Sequence, residues 1–75
     1  LEYLKKEILE ELVYYRKATG MSQNDLARRL GINRSAISRK ESGEFEFTID
    51  QFLEYVDELG LEMVFISKRK SRIYR

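Results

Sequence analysis

The chain is 75 residues long, enough for one small domain, with 14 Lys and Arg against 13 Asp and Glu for a net charge of +1, and no Cys, His or Pro. Lacking Cys and His, it has neither a disulfide framework nor a thiolate zinc site nor the usual general base near neutral pH, so no metal, no cofactor and no enzymatic activity are expected. No apolar run approaches the roughly 20 residues that span a bilayer, and no secretory leader is legible, so a soluble intracellular domain without a membrane partner is expected.

Taken in chain order, Leu1, Leu4, Ile8, Leu12 and Tyr15 recur at helical spacing, with Leu9 and Val13 widening the stripe. This predicts a helix over 2–19, stopped at Thr19-Gly20. Three further helix starts share one grammar. Ser22 is an N-cap with Asp25 at the capping-box position and Met21 and Leu26 as a hydrophobic staple. Asn33 is an N-cap with Ile32 and Ile37 as its staple. Thr48 is an N-cap with Gln51 completing a capping box and Phe47 and Phe52 as its staple. They predict helices over 23–30, 34–42 and 49–59. In the last, Ile49, Phe52, Leu53, Val56 and Leu59 are expected on the buried side, with Asp50, Glu54, Asp57 and Glu58 elsewhere. Glu44-Phe45-Glu46-Phe47 alternates but is short for a strand; it reads as a loop whose Phe residues pack onto the core.

After Gly60 the period changes. Residues 61–67 are rich in β-formers, with Leu61, Met63 and Phe65 on one face, and read as a single strand. A lone strand leaves its backbone donors and acceptors unpaired. Its simplest partner is the same strand of a second copy, antiparallel about a two-fold axis. Leu61, Met63, Val64, Phe65 and Ile66 are therefore the expected dimerisation residues. The competing reading extends the last helix through 61–67, against which Gly60 stands. Residues 1–67 make the domain, and 68–75 a basic tail, either solvated or in contact with phosphate or an acidic partner.

Charge falls in blocks: residues 1–20 balance, 21–43 carry +3, 44–62 hold seven acids and no base, and 63–75 hold five bases and no acid. Such blocks make a basic and an acidic face on one body, or simply solvated helix faces. The basic block coincides with a motif. Ala27 permits close approach of two short helices, Gly31 occupies their turn, where a positive φ is often required, and Leu26, Leu30, Ile32 and Ile37 pack them together. In a helix-turn-helix the start of the second helix meets base edges. Here it offers Arg34 and Ser35, with Ser38 and Arg39 one turn on. Arginine donates two hydrogen bonds to guanine O6 and N7, a contact worth about 1–3 kcal/mol of discrimination. Gln23, in the first turn of the preceding helix, is expected to hold a phosphate with its amide and the open backbone N–H groups. Asn24, Arg28 and Ser42 are further backbone-contact candidates. The competing reading is an αα-hairpin with a solvated basic face.

Residues 22–43 resemble the helix-turn-helix of the lambda-repressor/Cro-like (XRE) regulators at Ser22, Gln23, Leu26, Ala27, Leu30, Gly31, Ile37, Ser38, Glu41 and Gly43. The resemblance puts Arg34, Ser35 and Arg39 at base-reading positions and Gln23 and Ser42 at backbone-contact positions. Lys40 departs from the pattern, which usually has an apolar residue there. Residues 48–53 and 59–65 are similar to the ending of HipB-type and HigA-type antitoxins, whose last helix runs into a strand paired across the dimer. The resemblance implies a mainly α, lambda-repressor-like helix-turn-helix bundle with one C-terminal β-strand pairing across a homodimer. It also implies a prokaryotic cytoplasmic autorepressor that binds double-stranded DNA and a toxin protein. A module acting mainly in toxin neutralisation, or a plain regulator without a toxin, are the alternatives.

Overall fold

The computed structural model describes residues 1–67, so the expected basic tail 68–75 lies outside the described residues. Four helices follow one another: α1 Glu2–Ala18, α2 Gln23–Leu30, α3 Arg34–Glu41 and α4 Ile49–Glu58. Each of the last three begins where its cap predicts. The Ser22 hydroxyl accepts from the Asp25 N–H while the Asp25 carboxylate accepts from the Ser22 N–H, both at 3.0 Å. Thr48 and Gln51 form the same reciprocal box at 3.1 Å. The Asn33 side chain accepts from the Ala36 N–H at 2.9 Å. Such caps satisfy backbone donors that have no partner inside the helix. Helices α1, α3 and α4 stop one residue short of the predicted ends, because Thr19, Ser42 and Leu59 are the half-in capping residues.

The core draws on every helix: Leu12 from α1, Leu26 and Ala27 from α2, Ile37 from α3, Tyr55 and Val56 from α4, and Leu59 just beyond it. Two expectations about buried faces need correction. In α1, only Leu12 of the predicted stripe is buried; Leu1, Leu4, Ile8 and Tyr15 are exposed. A helix of 17 residues is about 25 Å long at 1.5 Å per residue, whereas α2 and α3, at eight residues each, reach about 12 Å, so they cannot cover all of it. In α4, Tyr55 is fully buried, whereas Ile49 is 70 % exposed and Leu53 44 % exposed. Helical spacing defines an apolar stripe, but the neighbours decide which edge of it is covered.

The loop before α4 divides its two aromatic residues. Phe47 packs edge-on against Phe52 and Tyr55, at centroid distances of 5.8 and 5.4 Å. Phe45, expected to pack down likewise, stays 43 % exposed.

Past α4, the Leu61 N–H donates to the Val56 carbonyl at 3.1 Å and the chain leaves the helix, which rules out its extension through 61–67. There is no strand among the described residues. A strand exists only through a ladder with a neighbour, and the described residues supply none for 61–67. Leu61 packs on the core, while Met63, Val64, Phe65 and Ile66 are exposed. Among the described residues, no helix is long and apolar enough to cross a membrane.

Lys40 lies buried in α3. Its Nζ donates to Gln51 Oε1 at 3.0 Å and to the Glu46 carbonyl at 3.4 Å, and sits 5.4 Å from the Phe47 ring centroid. These partners are neutral, and no ion pair with Lys40 occurs among the described residues. Desolvating an ammonium without a counter-charge is costly, and an apolar chain of similar length avoids that cost. Lys40→Met is expected to raise the thermal midpoint by roughly 4–8 °C, the shift that about 1 kcal/mol produces in a domain of this size. A circular-dichroism melt showing a lowered midpoint would refute this.

Candidate nucleic-acid interface

The turn between α2 and α3 depends on Gly31, which takes φ +71. The Gly31 N–H donates to the Arg28 carbonyl and the Ile32 N–H to the Ala27 carbonyl, at 3.3 and 3.0 Å, closing the end of α2. A Cβ at Gly31 would meet nothing within 4 Å, so the constraint is the left-handed backbone rather than space. Asn33 then starts α3. Ile37, fully buried, anchors one side of α3 to the core and leaves Arg34, Ser35 and Arg39 exposed, with Ser38 half-buried beside them. The four predicted base-reading residues thus share one short helix whose opposite side is held in place.

Two of these side chains are held from outside α3. Arg34 Nη1 donates to Gln23 Oε1 at 2.7 Å. The Arg39 guanidinium lies over the Phe45 ring, 5.4 Å from its centroid. The Ser35 hydroxyl donates to Asn33 Oδ1 at 2.7 Å and so stays within the α3 cap.

Behind Arg34 runs a polar network that reaches all four helices. Gln23 Nε2 donates to Glu41 Oε1 at 3.0 Å. Arg16 grips the same carboxylate with Nε and Nη2, at 2.7 and 3.0 Å, and its Nη1 donates to the Met21 carbonyl at 2.9 Å. The Tyr55 hydroxyl donates to Glu41 as well. The Arg16 and Glu41 side chains are each only 6 % exposed. Among the described residues, no buried side-chain nitrogen or oxygen lacks a partner. Burial pushes the Glu41 carboxyl up, but the hydrogen bonds from Arg16, Tyr55 and Gln23 outweigh it and hold the group below the ordinary carboxylate range. Burial, with its bond to Glu41, pushes the Tyr55 hydroxyl well above the usual range. The hydrogen bond to Glu41 raises Arg16 in spite of its burial. The pair is therefore ionised at neutral pH.

The backbone-contact candidates fall into different situations. Asn24 is exposed and makes no side-chain hydrogen bond among the described residues. Arg28 is exposed and donates to Asp25, the carboxylate of the α2 capping box. The Ser42 hydroxyl donates to the Arg39 carbonyl at 3.0 Å and accepts from the Glu44 N–H at 3.4 Å. Gln23 is half-buried, and both ends of its amide are engaged within the protein.

Sequence reasoning passed over Arg16, Tyr55 and Phe45. Arg16 left a trace: it follows Leu12 by four residues, so a charge stands in register with the apolar stripe of α1. Tyr55 and Phe45 left none, since each owes its role to a partner on another segment.

The acidic block meets the basic one at a single α2–α4 ion pair among the described residues. Asp50, Glu54 and Asp57 of α4 are exposed, and Glu58 meets Arg29 of α2 at 3.5 Å.

A family model described as helix-turn-helix matches residues 12–66. That span includes Arg16, Gln23, Arg34, Arg39, Glu41 and Tyr55. Neither a curated protein nor a solved structure matches the chain.

Proposed function

The chain belongs to the helix-turn-helix family, and from that premise we propose that it is a sequence-specific, DNA-binding transcriptional repressor acting as a dimer. One observation carries the reading: Arg34, Ser35 and Arg39 stand exposed on a helix that Ile37 and Glu41 lock into the core. Reading base edges requires side chains held in fixed positions, because a mobile arginine loses rotamer freedom on binding. In this reading α3 lies in the major groove with Arg34 and Arg39 on base edges. The backbone N–H groups at the start of α2 and the exposed Arg28 face phosphates, while the Gln23 amide braces Arg34.

A dimer is part of the proposal because one eight-residue helix makes few contacts. The exposed Met63, Val64, Phe65 and Ile66 support it: they form an apolar run that the described residues leave in solvent. Two copies would place their α3 helices in successive major grooves about 34 Å apart.

Selection from a random duplex library tests the reading. The expected result is enrichment of palindromic sites whose half-sites lie one helical turn apart, bound with a steep salt dependence. Enrichment of no sequence over background would overturn it. Phe65→Asp is expected to shift the protein toward monomer in sedimentation and to weaken binding to the full palindrome more than to a half-site.

The antitoxin role is the second element of the proposal. The similarity of the ending to HipB-type and HigA-type antitoxins supports it. So does a groove of about 430 Å³ lined by Ile8, Phe45, Ile49, Phe52 and Met63 among others, beside the acidic Glu46. A stable complex with the product of an adjacent gene would support this role, and absence of one favours a plain regulator. The setting proposed is a prokaryotic cytoplasm, with the protein on the nucleoid when bound.

A further inference from the structure

Arg39 stands at the far end of the exposed side of α3, and what holds its guanidinium belongs to the loop that follows. Gly43 takes φ +88, a backbone conformation that favours glycine, and the chain turns back beneath the helix. The Phe45 N–H donates to the Arg39 carbonyl at 3.0 Å. The same residue's ring lies 5.4 Å from the Arg39 guanidinium carbon, within the reach of cation–π attraction. Phe47, two residues on, is absorbed by Phe52 and Tyr55, yet Phe45 remains 43 % exposed with the arginine over its ring. Leaving this much aromatic surface in water is unfavourable, and core packing does not account for it.

We propose that Phe45 is a positioning residue for Arg39: its ring fixes where the guanidinium points and thereby sets how strongly Arg39 discriminates at its base pair. The inference rests on the DNA-reading proposal above. An arginine held over an aromatic ring has already given up much of the freedom it would lose on binding DNA. The main-chain bond from Phe45 to Arg39 does not involve the ring, so a non-aromatic substitution at Phe45 removes the platform and leaves the end of α3 closed.

The test measures binding of wild type, Arg39→Ala, Phe45→Leu, Phe45→Tyr and the Arg39→Ala/Phe45→Leu double variant to the selected site and to its single base-pair changes. Leu keeps an apolar side chain of similar reach but offers no ring face, and Tyr keeps the face. Phe45→Leu is expected to reduce discrimination about 2- to 5-fold at the base pair whose preference Arg39→Ala abolishes. Phe45→Tyr is expected to retain it, and Phe45→Leu to add nothing in the Arg39→Ala background. In the DNA-free protein, the Arg39 side-chain protons are expected to show an upfield ring-current shift that persists in Phe45→Tyr and vanishes in Phe45→Leu. Unchanged discrimination in Phe45→Leu, with Arg39→Ala relaxed, would overturn the role of Phe45 and leave the DNA reading standing. A Phe45→Leu effect that persists undiminished without Arg39 would overturn positioning in favour of direct contact. Unchanged discrimination in Arg39→Ala itself would overturn the assignment of Arg39 and this inference with it.

Discussion

Glu41→Ala is expected to cost about 3–5 kcal/mol of stability, the penalty for breaking a buried ion pair by removing one partner. For 75 residues the whole folding free energy is roughly 4–11 kcal/mol, so the loss is a large share of it and would unfold the protein at the lower end of that range. The size of the effect comes from what is left behind. Arg16, buried at 5 % exposure, would keep its charge without a counter-ion, and the fully buried Tyr55 hydroxyl would lose its acceptor. The loss would touch every helix, because α1, α2 and α4 all reach the one carboxylate on α3. Urea denaturation at neutral pH measures it; a loss below about 1 kcal/mol, the scale of an ordinary hydrogen bond, would show that the network is not central.

The same group predicts a pH dependence. The folded state holds the Glu41 carboxyl below its ordinary value, so the unfolded chain takes up the proton first as pH falls. The stabilisation is complete above the unfolded value near pH 4.3 and is lost as pH drops through the lower, folded value. The difference in stability between wild type and Glu41→Gln should therefore be constant from pH 7 to about 5 and shrink below about 4. A difference that stays constant into the acid range would contradict an ionised Glu41 in the folded protein.

Arg34→Ala is expected to weaken binding to the selected site by about 1–3 kcal/mol per half-site, roughly 5- to 150-fold, and to remove preference at one base pair. The prediction follows from how Arg34 is held. Glu41 takes the Nε2 end of Gln23, which turns Oε1 toward Arg34 and fixes one guanidinium nitrogen at 2.7 Å. Among the described residues the remaining donors have no partner and can face a base. A base-reading arginine and a phosphate-bound one differ in their salt response: loss of the former relaxes specificity with little change in salt slope, whereas loss of the latter lowers the slope. Titrations of the selected and single-substituted sites at several salt concentrations would separate the two. Equal weakening at every site together with a shallower slope would reassign Arg34 to the backbone.

Much of the reading frame of this domain was legible before folding. Ser22, Asn33 and Thr48 placed three helix starts to the residue, and Gly31 between Leu30 and Ile32 identified the turn. Part of the exposed side of α3 followed, since Ile37 had to face inward and Ser35 and Arg39 lie away from it, whereas Arg34 sits at the edge beside it. The apolar stripes were less informative: Leu4, Ile8, Ile49 and Leu53 keep helical spacing and remain in solvent. Their pattern says that a face is apolar, and only the length and placement of neighbouring helices say whether anything covers it.

The sequence by itself determined where each helix begins, where it ends to within one residue, and which residues α3 displays, because a cap or a turn is settled among groups within about four residues of one another. Tertiary structure alone decided that Glu41 would join Arg16, 25 residues away, with Gln23, 18 away, and Tyr55, 14 away. It alone decided that Phe45 would support Arg39 while Phe47 entered the core. Those meetings depend on how four helices pack, and a polar side chain carries no local signal of the partner that packing will bring to it.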